Sequence, residues 1–406
     1  MSRIVQPNSG AIRAANRVRL VQVLRHEGWA TRAELAQQTG LSRATISSLV
    51  GELAARGLVS ERRAPSGHEL GRPAATVALN RSAGVAIAVD VGVRHVAVAV
   101  GDLSRTVLTE RWMTLPRGHG STEGTALVLR GIDETLSRAA IEPEQLIGAA
   151  ISIAAPVARD SERLLVPGVL PGWNGSELAE RVAAQWQIPV VMENDANLGA
   201  LAESVSGSST DGGDLLYVKV ASRVGLGVAF GARVHRGREG YAGELGHVTA
   251  EPDGEKCWCG RRGCLETYAG GDGMLRRLGQ INCGVNSMGR LVALALAGDR
   301  EVLGVVADGA RALGRALANV ALVLAPSTIV LGGELAALGT LLEDPIRAEL
   351  GTIPFGPPID LRVSELGERA SLVGALAVVL AESSRFVDRS ESPSTRSFSS
   401  AGHLSN

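Results

Sequence analysis

The sequence predicts an α/β protein in which an N-terminal winged helix-turn-helix precedes a larger body of alternating strands and helices. Three observations carry this. Two short helical patterns meet at Gly40 and are followed by a strand, a loop and a strand. From Val85 onward strand and helix patterns alternate, with Gly at most junctions, which is the α/β signature. With 406 residues, 45% hydrophobic and 3% aromatic, the chain can fill two or three domains whose cores are built from Ala, Val and Leu.

Taken in order, residues 1–12 carry Pro, Asn, Ser and Gly and are expected to be a flexible tail. The head spans 13–80. From Ala14 to Glu27 the apolar positions Val18, Leu20, Val21 and Leu24 share a helical face, and Gly28 ends it. Thr31 caps a helix through Gln38, with Glu34 at the reciprocal capping-box position. Gly40 makes the turn, and Ser42 caps a third helix from Arg43 to Arg56 whose buried face is Ile46, Leu49, Val50 and Leu53. Leu58–Arg62 and Thr76–Leu79 are strands joined by a Pro/Gly-rich loop.

The body spans 83–384. Val85–Val89 and His95–Val100 are strands around a tight turn, and a second strand-turn-strand unit is expected to head a second half of the body. Residues 385–406 are Ser-rich and expected to be disordered. The first residues lack the apolar core of a signal peptide, and no run reaches the roughly 18 apolar residues of a membrane helix. A cytoplasmic, membrane-free protein is expected.

The net charge of −1 conceals an asymmetry: residues 1–80 hold eleven Arg, no Lys and five acids, and the remainder is acidic. A basic head points to double-stranded DNA as partner, although a charge count alone also fits a solvated surface. The helix after the turn would enter the major groove. Its exposed face offers Ser42, Arg43, Thr45, Ser47 and Ser48, and Arg32 opens the helix before it. Arg43 can grip guanine bidentately, and the hydroxyls suit phosphates or bases, or simply face water. In the wing, which also holds Arg62, Arg63 and His68, Gly71-Arg72-Pro73 stiffens the backbone around an Arg that could enter a narrow minor groove. An ordinary Pro turn is the alternative for that tripeptide.

Cys257, Cys259 and Cys264 fall within eight residues, with His247 ten residues upstream. Three thiolates and an imidazole form a tetrahedral zinc set with no open position, so the ion would be structural. Cys283 is the alternative fourth ligand.

The stretch 240–270, GYAGELGHVTAEPDGEKCWCGRRGCLETYAG, resembles the signature of the ROK family, which groups repressors, open-reading-frame products and sugar kinases on a two-lobed actin-like fold. Glu193-Asn194-Asp195-Ala196-Asn197, Pro171-Gly172-Trp173 and Leu331-Gly332-Gly333 also resemble family segments, and the likeness extends over 13–384. The resemblance implies that Asn194, Asp195, Glu244, His247 and Glu266 line a sugar pocket. Carboxylates and amides suit that ligand, because each can take hydrogen bonds from paired hydroxyls. The head resembles the one that the family's regulator branch carries and its kinases lack, which implies a homodimeric or homotetrameric repressor with an operator and a sugar or sugar-derivative effector.

Kinases of the family need two Gly-rich phosphate turns. The first is expected at Asp90-Val91-Gly92-Val93-Arg94-His95, where Val93 and Arg94 replace the family's Gly and Thr. The second is expected at Arg223-Val224-Gly225-Leu226-Gly227, again short of Gly and Thr. Both substitutions imply lost phosphoryl transfer, so no catalytic residue is assigned. Asp195 matches the kinases' general base, which keeps an ATP-dependent sugar kinase as the alternative; a regulator controlled by a protein partner is the third.

Overall fold

The computed structural model describes residues 9–63, 75–116, 119–159, 163–166, 170, 173, 175–206, 213–231, 233–281 and 284–381. The head is built from α1 (Ser9–Glu27), β1 (Trp29–Thr31), α2 (Arg32–Thr39), α3 (Arg43–Ala55), β2 (Val59–Arg63) and β3 (Ala75–Leu79). The three strands pair in the order β1-β3-β2. Leu20, Leu24, Leu35, Ile46, Leu49, Val50 and Leu53 close the core under them.

The expected caps form. Thr31 Oγ1 accepts from the Glu34 amide, and the Glu34 carboxylate accepts from the Thr31 amide, completing the capping box. The Ser42 hydroxyl accepts from the Thr45 amide at 3.1 Å. Gly40 sits at φ 69°, a left-handed conformation in which a side chain would be strained, so the turn between α2 and α3 depends on it. One boundary differs: α1 begins at Ser9, inside the segment expected to be a tail, because Ala11, Ala14 and Ala15 favour helix strongly enough to carry Gly10. Residues 1–8, the wing tip 64–74 and the expected tail 385–406 lie outside the described residues.

The first lobe contains β4 (Val85–Val91), β5 (His95–Asp102), β6 (Val107–Thr114), α4 (Ser121–Arg138), β7 (Leu146–Ile153), α5 (Gly175–Trp186) and β8 (Val190–Asn194). From it α6 (Asp195–Ser206) leads into the second lobe. That lobe comprises β9 (Leu215–Val220), β10 (Val224–Phe230), β11 (Arg233–Val234), α7 (Glu266–Ala269), α8 (Gly271–Gln280), α9 (Met288–Leu296), α10 (Arg300–Leu324), β12 (Thr328–Gly332), α11 (Thr340–Leu350) and β13 (Asp360–Val363). The chain returns to the first lobe through α12 (Ala370–Ala381).

The two five-stranded sheets run β6-β5-β4-β7-β8 and β11-β10-β9-β12-β13. The order is the same in both: an antiparallel hairpin opens each sheet and parallel strands extend it. This repeated unit is the two-lobed actin-like architecture. Small residues set the layer between the lobes. Ala86, Ala88, Ala97 and Ala99 let α12 lie flat on the first sheet, while Ala196 and Ala200 let α6 lie against the second. Gly374 takes this to the limit: a Cβ there would stand 2.0 Å from the Leu198 carbonyl oxygen, so α12 meets α6 backbone to backbone.

Candidate functional site

Four metal-capable side chains converge in the loop region that follows β11. The ligand atoms of His247, Cys257, Cys259 and Cys264 all lie within 4.8 Å of one another. Cys257 Sγ is 3.7 Å from His247 Nδ1, and Cys259 Sγ is 3.6 Å from Cys264 Sγ. Tetrahedral bonds of about 2.3 Å to sulfur and about 2.1 Å to nitrogen place neighbouring ligand atoms roughly 3.6–3.8 Å apart. The cluster therefore has the size of a single tetrahedral ion. Burial pushes the Cys257 and Cys264 thiols up, so a cation is what would hold them as thiolates. Cys283 lies outside the described residues.

Three carboxylates gather beside this cluster. Glu266 opens α7, and its Oε1 accepts from Trp258 Nε1 and from Cys257 Sγ. Glu244 Oε2 lies 3.9 Å from His247 Nε2. Burial, and then the charges of Asp195 and Glu266, push the Glu244 carboxyl up to about 7. Asp195 stands at the first position of α6. Asn194 is spent largely on structure: its Oδ1 accepts from the Ala196 and Asn197 amides, and its Nδ2 donates to the Ala155 carbonyl. One amide N–H of Asn194 is left for another partner.

The structure adds residues that sequence reasoning missed. Lys219, half-buried in β9, places Nζ 2.9 Å from Asp195 Oδ2 and 4.0 Å from Asp90 Oδ2. A charged residue inside the apolar strand LLYVKV was the available signal, since Lys is almost never buried unpaired. Arg236 pairs with buried Glu193, whose Oε1 accepts from the Asn194 amide and from Asn197 Nδ2. Trp258 holds Glu266 and carries Arg223 over its ring at 4.6 Å.

The first expected phosphate turn lies between β4 and β5, and the second needs correction. Val93 is not among the non-glycine residues with positive φ. Arg94 instead reaches across to pair with Asp272 of α8. The segment 223–227 is mostly strand β10; the turn itself is Ala221-Ser222-Arg223. Gly225 and Gly227 serve packing: a Cβ on Gly227 would stand 2.1 Å from the Ala196 carbonyl oxygen of α6. The amides of Gly271 and Asp272 at the start of α8 donate to the carbonyls of Ala221 and Ser222. Those N–H groups are therefore bonded within the second lobe.

In the head, Ser42, Arg43, Ser47 and Ser48 are exposed on α3 and Thr45 is half-buried. Among the described residues no ion pair is seen for Arg43. Ser48 accepts from Arg13 at 3.0 Å, and Arg32 is paired with Glu61 of β2 at 2.7 Å, so these two are tied into the head itself. Arg72 lies in the wing tip outside the described residues. No helix among the described residues is long and apolar enough to cross a membrane.

A winged helix joined to a duplicated actin-like body with a Cys/His loop is the combination these elements define. Residues 86–382 match the ROK family model, and residues 20–68 match that of the MarR family. The chain belongs to the ROK family. It is 27% identical to a putative xylose repressor of Caldicellulosiruptor sp. (strain Rt8B.4), covering 94% of this chain and 99% of that one. A crystal structure of a ROK family transcriptional regulator, homolog of the E. coli MLC protein, superposes with a TM-score of 0.77 at 24% identity, covering 93% of this chain and 98% of that one. A ROK family glucokinase from Streptomyces griseus, solved with glucose and AMPPNP, superposes with a TM-score of 0.64 at 26% identity. It covers 73% of this chain and 99% of its own.

Proposed function

We propose that this chain is a transcriptional repressor of carbohydrate-related genes, acting in the cytoplasm, whose operator affinity changes when a sugar binds its body. Asn194, Asp195, Glu244, His247 and Glu266 contact the sugar. His247, Cys257, Cys259 and Cys264 hold a structural zinc, which fixes the loop carrying Glu244 and the approach to Glu266. Arg43 reads a base edge, the α3 hydroxyls meet phosphates or bases, and Arg72 reaches the minor groove from the wing. A homodimer presents two heads to a palindromic operator.

The observation that carries this reading is that one chain joins a winged helix to a cluster of carboxylates and is matched along nearly its whole length by a putative xylose repressor. The kinase comparison reaches only the body.

The geometry also favours sensing over phosphoryl transfer. A general base must have a lone pair free for the sugar's hydroxyl proton. The ammonium of Lys219 is bonded to Asp195 and competes for it. Between the turns, the Arg94–Asp272 pair links the two lobes and engages the Arg94 guanidinium. A carboxylate that only accepts from a hydroxyl still contributes affinity.

A thermal-shift screen with unphosphorylated hexoses, pentoses and amino sugars, and with their phosphates, tests the reading. One of them should raise the melting temperature of the wild type and leave Glu244→Ala unmoved. Sugar-dependent ATP turnover would establish the kinase instead, and no binding at millimolar sugar would favour a protein partner.

A further inference from the structure

We propose that Ser371 and Arg25 are positioning residues through which α12 ties the effector pocket to the placement of the DNA head. This rests on the pocket assignment above and adds the route by which its state reaches the operator. The helix has 12 residues, so at about 1.5 Å per residue it spans roughly 18 Å. It touches the pocket at one end and the head at the other.

At the pocket end, the buried Ser371 hydroxyl donates to the backbone carbonyl of Asp195 at 3.4 Å. Lys219 Nζ lies 3.3 Å from the same hydroxyl and donates to it, while also holding the Asp195 carboxylate. The first turn of α12 is therefore bonded to the residue that would receive the ligand and to that residue's counterion.

At the head end, Arg25 of α1 donates from Nη2 to the Leu380 carbonyl at 2.8 Å and from Nε to the Leu103 carbonyl at 2.9 Å. The Arg25 guanidinium thus bonds the backbone of both α12 and the loop that follows β5. Leu58 of the head packs into the cluster that contains Leu372, Leu376, Val379 and Leu380. Burial and then the neighbouring Arg105 disfavour the charge on Arg25, so the contact depends on both carbonyls facing it.

The span between the ends is stiff. The close approach of Gly374 to the Leu198 carbonyl prevents α12 from sliding independently of α6. That helix starts at Asp195, and its Val205 carbonyl accepts from Arg105 near the same head-proximal turn. A ligand that moves Asp195 moves the start of both helices. Packed interiors pass such shifts on as rearrangements of discrete contacts. The Leu380–Arg25 bond is the contact at which this movement meets α1.

The test is a double-mutant cycle on the full-length protein. Its readout is fluorescence anisotropy with a duplex selected in vitro for tight binding to the wild type. Ser371→Ala, which touches no DNA-facing residue, should change the duplex Kd by at least about threefold, the low end of coupling between linked residues. In the Arg25→Gln background the same substitution should have almost no effect. Independent, multiplying effects, or a silent Ser371→Ala, would overturn the proposal.

A second arm uses the sugar found by thermal shift. Arg25→Gln should lose most of the sugar-induced change in duplex Kd while its own sugar Kd stays within about twofold of wild type, a split that a general loss of structure does not produce. If Arg25→Gln does not fold, Arg25→Lys, which keeps the charge but reaches one carbonyl at a time, carries the cycle. The cycle needs no sugar, so absence of sugar binding would count against the proposed function while the cycle still decides the role of α12.

Discussion

Replacing Glu266 by Gln keeps the side chain's shape and removes one charge from the pocket. In the wild type, Oε1 accepts the indole N–H of Trp258, and Oε2 is the acceptor proposed for a ligand hydroxyl. The Gln carbonyl can keep the Trp258 bond, so its NH₂ group falls where Oε2 stood. A sugar hydroxyl that donated to a carboxylate then meets a donor. A hydrogen bond to a charged group is worth about 1.5–3 kcal/mol, so the sugar Kd should rise by about tenfold to a hundredfold. Removing the Glu266 charge also lets the Glu244 carboxyl fall back toward its ordinary range, because that charge helps to hold it near 7. Calorimetry with the sugar found by thermal shift reads the loss. Duplex binding in the absence of sugar should stay unchanged. A Kd shift below about threefold, or an equal loss of DNA binding, would refute the placement of Glu266 at the ligand.

The other predictions concern the metal, the head and acid stability. Cys259→Ser should take zinc from one per chain to near none by elemental analysis and lower the melting temperature; retained zinc would reject the four-ligand assignment. Arg43→Ala should weaken binding to the selected duplex by about 1–3 kcal/mol and relax discrimination at one base position, while zinc content and sugar binding persist. Asp90 is fully buried, and burial alone would raise its carboxyl. The charge of Lys219, with His95 and Ser152, instead holds it well below the usual carboxylate range. Because the folded value is depressed, its contribution to stability is present above about pH 4 and is lost as pH falls further. Urea melts from pH 5 to pH 3 should show a shallower acid loss in Asp90→Asn; an unchanged slope would contradict the ion pair.

What could be read from the sequence was local. Thr31, Glu34, Gly40 and Ser42 specify their own geometry within a few residues, so the head's helices and caps follow from spacing. The Cys/His cluster is compact in sequence because one loop carries all four ligands. What escaped is long-range. Arg94 and Asp272 are 178 residues apart, and Arg25 and Leu380 are 355 apart; no periodicity brings them together. Lys219 was visible as a charge in a buried strand, but its two partners appear only once β4, α6 and β9 are packed. Gly225 and Gly227 misled for a physical reason: the same lack of a side chain that suits a phosphate turn also suits a strand pressed against a helix.

The central claim is that sugar occupancy alone changes DNA affinity. Its most direct measurement is the anisotropy of a labelled duplex bound by the full-length protein, titrated with the stabilising sugar and no nucleotide present. The duplex Kd should rise at least about fivefold at saturation, the lower range of coupling between two sites. A sugar that saturates the protein by calorimetry yet leaves the duplex Kd within about twofold would contradict it.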